Sequence, residues 1–320
     1  MNILAIISFL SALGLLYVAV VPEYAQYDDD FELFIATYGK NYGTQQEMDY
    51  RRTVFDTNMN LAEELNNLNP EAEFGVTKFA DLTQEEMAQR MGGMVGRAEK
   101  EEDVEVYNQT STSLKSYDIN WRPYMKHIQD QGSCGSCWAF AAVATMEGRL
   151  AIKYGMTSKL SEQQALDCTG YYSSCSGGYY MDVFHYFKNE ALCKAANYKY
   201  KAWKDTCYYC SGNRRVKTVW QVNNGESGLY SCLKEGPIAA YVNAYGWNLY
   251  KSGTITANQG ETVQGTAAHI IVVVGFEDTY NHWVIRNSWG ADWGMDGHIF
   301  LKYGYGSCDI GSGQGYPEFY

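Results

Sequence analysis

The chain has 320 residues, 46% hydrophobic and 19% charged, with a formal net charge of −12. That length supports one or two domains with sizeable cores, and the composition excludes a disordered or low-complexity protein. The charge is uneven: residues 27–106 hold 19 Asp/Glu against 7 Lys/Arg, and residues 107–320 hold 17 against 18. No basic cluster is large enough for a nucleic-acid surface, since Arg214-Arg215 is a solvated pair.

Residues 3–21 form an uncharged apolar run followed by an acidic stretch. The run reads as a secretory signal over 1–21, with an uncleaved membrane anchor as the alternative that its length allows. Either one routes the remainder into an oxidising compartment, where nine cysteines leave at least one thiol unpaired. Residues 27–91 read as helical and polar. Phe31, Phe34 and Tyr38 share one helix face, and Val54, Leu61, Leu65 and Leu68 form the stripe of a second helix over 47–68. Phe74, Val76 and Phe79 suggest a short strand and a turn, with another helix starting near Gln84. Residues 92–112 are glycine-rich, then charged, then small and polar. They read as an exposed, cleavable linker with one glycosylation sequon at Asn108.

From Ser113 onwards Tyr, Gly and Trp become frequent, and all nine cysteines lie here. Trp138 to Tyr154 has helical apolar spacing with Gly155 as its C-terminal cap, and Ser161 to Gln164 has a capping-box pattern. Strand-like runs follow at 238–242, 269–276, 282–286 and 298–303. Helices first and strands later point to an α+β fold with two subdomains and a cleft between them.

Within QGSCGSCWAF at 131–140, Cys134 and Cys137 are a C-x-x-C pair, which allows a zinc clamp, a redox dithiol, or a nucleophile beside a structural thiol. A second C-x-x-C, Cys207 to Cys210, makes a four-cysteine zinc site formally possible, but 69 residues separate the two motifs. The redox reading lacks the preceding strand that it needs. Cys137, by contrast, directly precedes an apolar helical run, and at a helix N-terminus the unpaired amides and the dipole lower a thiol's pKa. A thiolate also needs a base and an orienting group. Of five histidines, His127 and His298 lie in strand-like segments, His269 stands at the mouth of the strand IIVVVGF, and Asn287 follows the strand HWVIR. The separations from Cys137 are 132 and 150 residues.

These residues, together with LSEQQALDC at 160–168, CSGGY at 175–179 and NSWGADWG at 287–294, resemble the papain-family cysteine proteases of the cathepsin L type over essentially the whole chain. In the N-terminal part, Glu47, Arg51, Phe55, Asn58 and Asn66 match the family's pro-helix motif, with Ala62 in place of its isoleucine. Gly75, Phe79 and Asp81 match the next motif, with Thr77 in place of its asparagine. The resemblance implies a papain-like two-subdomain α+β fold: a helical N-terminal subdomain and an antiparallel, barrel-like C-terminal one, preceded by a mainly helical pro-domain. The expected divisions are a signal at 1–21, a pro-domain at 22–112 and a peptidase domain at 113–320.

The implied roles are Cys137 as nucleophile, His269 as base and then acid, Asn287 as its orienting partner, and Gln131 as an oxyanion donor beside the Cys137 amide. Trp289 would shield the His–Asn hydrogen bond. Gly177 and Gly178 would line the substrate cleft, and Tyr179, Tyr180, Tyr241, Ala267 and Gly313 its second subsite. The implied disulfides are Cys134–Cys175 and Cys168–Cys207, leaving Cys193, Cys210, Cys232 and Cys308 with three possible pairings. The family's third bridge requires a cysteine between Pro237 and His269, and there is none.

Two departures stand out. Ala268 replaces the family's usual Asp or Asn, and Tyr241 replaces a small residue. No acid lies at the base of the second subsite, and no blocking insertion lies between Tyr200 and Trp220, so endopeptidase activity is expected. The resemblance calls for no metal or cofactor. It implies peptide or protein substrates, the chain's own pro-segment as inhibitor, cystatin-type inhibitors as partners, a monomer, and a secreted or acidic lysosome-like location. The charge split implies a pro-segment held mainly through Phe and Tyr contacts, with carboxylates locking helix pairs that acid would loosen.

Overall fold

The computed structural model describes residues 6–7, 18–19, 24–93, 104–108, 117–170, 173–212, 214–256 and 268–320. Most of the expected signal, Gln109 and Thr110 of the sequon, and Ala267 lie outside these residues. Two dipeptide strands, β1 (Ile6–Ile7) and β2 (Val18–Ala19), pair with each other.

The N-terminal part is built on crossing helices α1 (Tyr24–Tyr38) and α2 (Gln45–Leu68). Thr44 caps α2 by accepting from the Glu47 N–H. The helices meet through Phe31, Phe34 and Phe55, with ring centroids 5.2–6.0 Å apart. The motif residues match needs of this segment. Asn58 donates to the Ala80 and Leu82 carbonyls at 2.8 and 2.9 Å. Arg51 holds Glu86 of α3 (Gln84–Arg90) in a two-pronged pair at 2.7 and 2.8 Å. Thr83 and Glu86 close a capping box on α3.

In the C-terminal part, α4 (Cys137–Tyr154) is buried from Cys137 to Leu150 and ends at left-handed Gly155. Around it lie α5 (Glu162–Cys168) and α6 (Tyr180–Asn189), with α7 (Gly225–Leu233) further along. Behind α4 runs one large mixed sheet. Its strands are β3 (Ala72–Phe74), β4 (Val104–Tyr107), β5 (Ile119–Asn120), β6 (Val216–Val222), β7 (Ile238–Asn243), β8 (Tyr250–Ile255), β9 (Ala268–Glu277), β10 (His282–Arg286), β11 (His298–Lys302) and β12 (Gln314–Phe319). The order is β3-β8-β11-β10-β9-β7-β12-β6-β4, with β5 on β9. Strand alternation divides the interior. Ile270, Val272 and Val274 of β9 face the α4 side, whereas Ile271, Val273 and Phe276 join a second core that continues into Phe31, Phe55 and Phe79 of the N-terminal part.

Three sequence expectations change here. The 92–112 stretch is not uniformly an exposed linker: Gly92 and Gly93 are buried, and β4 pairs in parallel with β6. His127, expected in a strand, lies in a loop held by Arg286, which donates to the Lys126 and His127 carbonyls. Carboxylates do more than lock helix pairs. Glu73 pairs with Lys251 across the contact between β3 and β8, and Glu71, just before β3, pairs with Lys302 of β11 at 3.0 Å. Aromatic contacts are also there, Phe74 on Tyr250 and Phe79 on Trp289.

Candidate active site

Four elements converge at one end of the sheet. Cys137 is the first residue of α4. His269 is the second residue of β9, held in register opposite Val242 of β7. Asn287 follows β10 directly, and Gln131 lies in the loop before α4. Cys137, His269 and Gln131 are completely buried, and Asn287 is 3% exposed.

His269 Nε2 lies 2.8 Å from Asn287 Oδ1, which fixes the ring and leaves Nδ1 as the other nitrogen. Nδ1 is buried without a hydrogen-bond partner, as are Asn287 Nδ2 and Trp289 Nε1 of the same site. Trp289 covers this pair, its ring 5.0 Å from the imidazole, and Trp247 flanks the ring from another side at 6.3 Å. The Gln131 amide is held from both ends. Its Oε1 accepts from Ser288 Oγ at 2.6 Å, so Nε2 is aimed at two carbonyls, Cys134 at 2.8 Å and Arg90 at 2.7 Å.

The Arg90 carbonyl belongs to the N-terminal part, which occupies this end of the cleft. The Gly93 N–H donates to the Ala268 carbonyl at 3.1 Å, and the Gly178 N–H donates to the Gly92 carbonyl at 2.9 Å. Residues 90–93 therefore lie across Cys137 and exclude water. Burial under them pushes the Cys137 thiol up to about 11 and the His269 imidazole down to about 4. This corrects the expectation of a lowered thiol pKa at the helix N-terminus. With the pro-segment seated, desolvation outweighs the helix dipole, and a neutral thiol sits beside a neutral imidazole.

A profile for the papain family cysteine proteases matches residues 115–318, and one for the cathepsin propeptide inhibitor domain matches 31–87. The chain belongs to the papain family. Ananain of Ananas comosus is 34% identical over 90% of this chain and 86% of its own length. Cysteine proteinase B of Leishmania mexicana is 33% identical over 87% of this chain, but this chain spans only 66% of that relative, a little under two thirds. Among solved structures, a digestive procathepsin L2 from Tenebrio molitor larval midgut superposes with a TM-score of 0.81 at 26% identity, over 91% of this chain and 99% of that one. A recombinant stem bromelain precursor gives 0.78 at 32% identity over 91% and 98%.

Within this family frame, the structure brings Cys137, His269, Asn287, Gln131 and Trp289 together. Gly178 and Ala268 hold Gly92 and Gly93 from two sides, and Gly177 precedes Gly178 at a φ of +133°. Tyr241 and Gly313 adjoin through a 2.7 Å bond from the Tyr241 N–H to the Gly313 carbonyl. Tyr179 is half-buried at the start of α6, while the Tyr180 ring turns inwards onto Phe184 at 5.7 Å. Disulfides join Cys134 to Cys175, Cys168 to Cys207 and Cys193 to Cys210. Cys232 and Cys308 are buried free thiols, and Cys308 accepts from Trp247 Nε1. Sequence reasoning missed Ser288 and Tyr200. Ser288 lies inside NSWGADWG and was the available signal. Tyr200, which donates to the Gln131 carbonyl at 2.8 Å and meets Ser136 Oγ at 2.7 Å, carried none.

Proposed function

We propose that this protein is a cysteine endopeptidase made as a zymogen, with Cys137 as nucleophile, His269 as base and then acid, Asn287 as its orienting partner and Gln131 as an oxyanion donor. The observation that carries this reading is residues 90–93 seated across Cys137, with the Arg90 carbonyl accepting from Gln131 Nε2. A carbonyl oxygen thus already occupies the donor that a substrate carbonyl would use.

After removal of the pro-segment, His269 Nδ1 takes the Cys137 proton and Sγ attacks the substrate carbonyl carbon. The oxyanion that forms is held by Gln131 Nε2 and the Cys137 N–H. The C–N bond then breaks, and the amine leaves with the proton from His269. Water, activated by the same imidazole, hydrolyses the thioester and restores the thiol. Asn287 keeps the imidazole in the tautomer and plane that both steps require, and Trp289 keeps water from the Asn287–His269 hydrogen bond.

The proposed divisions are a signal over 1–21, an inhibitory pro-domain over 22–112 and a peptidase domain over 113–320. The enzyme would be a secreted or lysosome-type monomer acting on peptides and proteins and open to cystatin-type inhibitors. Among the described residues no helix is long and apolar enough to cross a membrane. Tyr179, Tyr180, Tyr241, Ala267 and Gly313 would form the second subsite. With no acid at its base, peptide-library cleavage should show little preference for Arg there.

The deciding experiment is hydrolysis of a fluorogenic dipeptide amide with a hydrophobic second residue, after incubation at pH 4.5 with a thiol reductant. Activity should require the reductant and vanish both in Cys137→Ala and with an epoxide inhibitor of thiol proteases. Silence from correctly trimmed protein would instead favour a papain-like binding protein.

A further inference from the structure

We propose that the mature enzyme binds a lysine or arginine side chain of its substrate on the leaving-group side of the cleft, between the carboxylates of Asp130 and Asp292. The inference rests on the protease reading above and names a specificity element of that site. In the zymogen the position is filled by the pro-segment itself. Lys78 Nζ donates to Asp130 Oδ2 at 2.9 Å and to Asp292 Oδ1 at 2.8 Å, with only 17% of its side chain exposed. Lys78 departs with the pro-segment, and two carboxylates are left facing one gap.

The Asp130 side of the seat is built without help from Lys78. Asp130 Oδ1 accepts from the Gly132 N–H at 2.8 Å, which leaves Oδ2 for an incoming cation. The Gly290 N–H donates to the Gln129 carbonyl at 3.0 Å, and Asp130 bridges Trp289, so the two loops hold each other in place. Gly290 adopts a φ of +82°, and a Cβ there would fall 2.5 Å from Asp292 Oδ1 and 2.9 Å from the Lys78 ammonium. The absence of a side chain at Gly290 leaves room for the charged group.

The location follows from the chemistry of the site. His269 protonates the departing amine, so the leaving group lies at the His269 end of the cleft. Trp289 stacks on His269 at 5.0 Å, and Phe79, the neighbour of Lys78, meets the edge of Trp289 at 5.6 Å. The carboxylates stand just beyond Trp289, within reach of a long side chain on one of the first leaving-group residues, since an extended chain advances only about 3.3 Å per residue. Two facing oxygens are too few for calcium, which takes about 6–8, whereas one ammonium already bridges them.

The test uses mature enzyme processed from the full chain and internally quenched peptides of constant acyl side. Each of the first three leaving-group positions carries Lys, Arg, norleucine or Glu in turn. At one of these positions Lys and Arg should exceed norleucine in kcat/KM by about 5-fold, equivalent to about 1 kcal/mol, with Glu the poorest. The Lys-to-norleucine ratio should shrink in Asp292→Asn and approach unity in Asp130→Asn/Asp292→Asn. The ratio is internal to each enzyme, so partial loss of folded protein does not disturb it, and the amide that replaces the Asp130 carboxylate would retain the oxygen that accepts from Gly132. A wild-type ratio near unity at all three positions, or an unchanged ratio in the double variant, overturns the proposal and leaves the protease reading intact. Failure of trimmed enzyme to cut any of the peptides overturns both.

Discussion

Gly92 lies so close to Gly135 that a Cβ would fall 1.8 Å from the Gly135 carbonyl oxygen. No rotamer relieves a backbone clash of this kind, so Gly92→Ala should lift residues 90–93 out of the cleft. Overpacking costs roughly 1–3 kcal/mol, which corresponds to zymogen conversion at pH 5.5 faster by roughly 5- to 150-fold, followed by gel. An unchanged rate would mean that some other contact keeps the cleft shut. The same covering sets the reactivity of Cys137. A thiol pushed up to about 11 is almost wholly protonated at neutral pH, and the thiolate is the reactive form. Once the pro-segment has gone, the α4 N-terminus and an adjacent imidazolium act on a hydrated thiol. Iodoacetamide at pH 7 should therefore alkylate Cys137 at least about 100-fold faster in the mature enzyme than in the zymogen. Gln131→Ala, which removes an amide aimed by Ser288, should lower kcat by about 100- to 1,000-fold with little change in KM.

At the level of elements, α2 anchors the pro-domain, and Phe55 sits at its centre in contact with the Phe31 and Phe34 rings. Removing that buried ring costs about 3–5 kcal/mol. Phe55→Ala, placed in the Cys137→Ala zymogen, should lower the melting of the N-terminal part and leave that of the peptidase part nearly unchanged in calorimetry. A single shifted transition would show that the two parts unfold as one. The helices α2 and α4 and strands β9 and β10 were legible in the sequence because their apolar periods are strong, and Gly155 marks the end of α4. Cys137 stood out as a cysteine before a helical run, but the choice of His269 and Asn287 as its partners came through the resemblance to the papain family, whose layout the strand ends at 269 and 287 fit. Strand β4 was not legible: its glycine-rich and charged flanks signal a loop, and only the unpaired edge of β6, distant in sequence, recruits it. Nor was the seat of Gly92 and Gly93, since a glycine pair reads locally as a turn, and only the Gly135 backbone reveals why side chains are excluded. The raised pKa of Cys137 escaped for the same reason, because burial by a segment more than forty residues upstream outweighs the local helix terminus.

For the whole molecule, the question is which protons release the pro-segment. In the closed zymogen Cys137 and His269 hold one proton between them, on the thiol. Once opened to water they still hold one, now on the imidazole of a thiolate–imidazolium pair. Opening therefore takes up no net proton from this pair across the mildly acidic range, and stability cannot change with pH on its account. Carboxylates must supply the dependence. The hydrogen bond from Lys251, followed by that from Ser252, holds Glu73 below its usual 4.5. Its contribution to docking is thus present above pH 4.5 and is lost as pH falls through its lowered value. Removing the thiol breaks the balance. In Cys137→Ala, His269 is held down to about 4 by burial while closed and returns towards about 6.5 when open. Docking stability is then full above pH 6.5 and is lost progressively between 6.5 and 4. At pH 5 the loss approaches about 2 kcal/mol, or roughly 30-fold in the opening equilibrium. Hydrogen exchange of the β3 amides, corrected for intrinsic rates, separates the two cases. The wild-type zymogen should keep constant protection from pH 7 to about 5 and lose it below, whereas Cys137→Ala should already lose protection on passing pH 6.5. Identical profiles for the two proteins would mean that the Cys137 proton does not move to His269 on opening, and the ion-pair account of the mature site would fall with it.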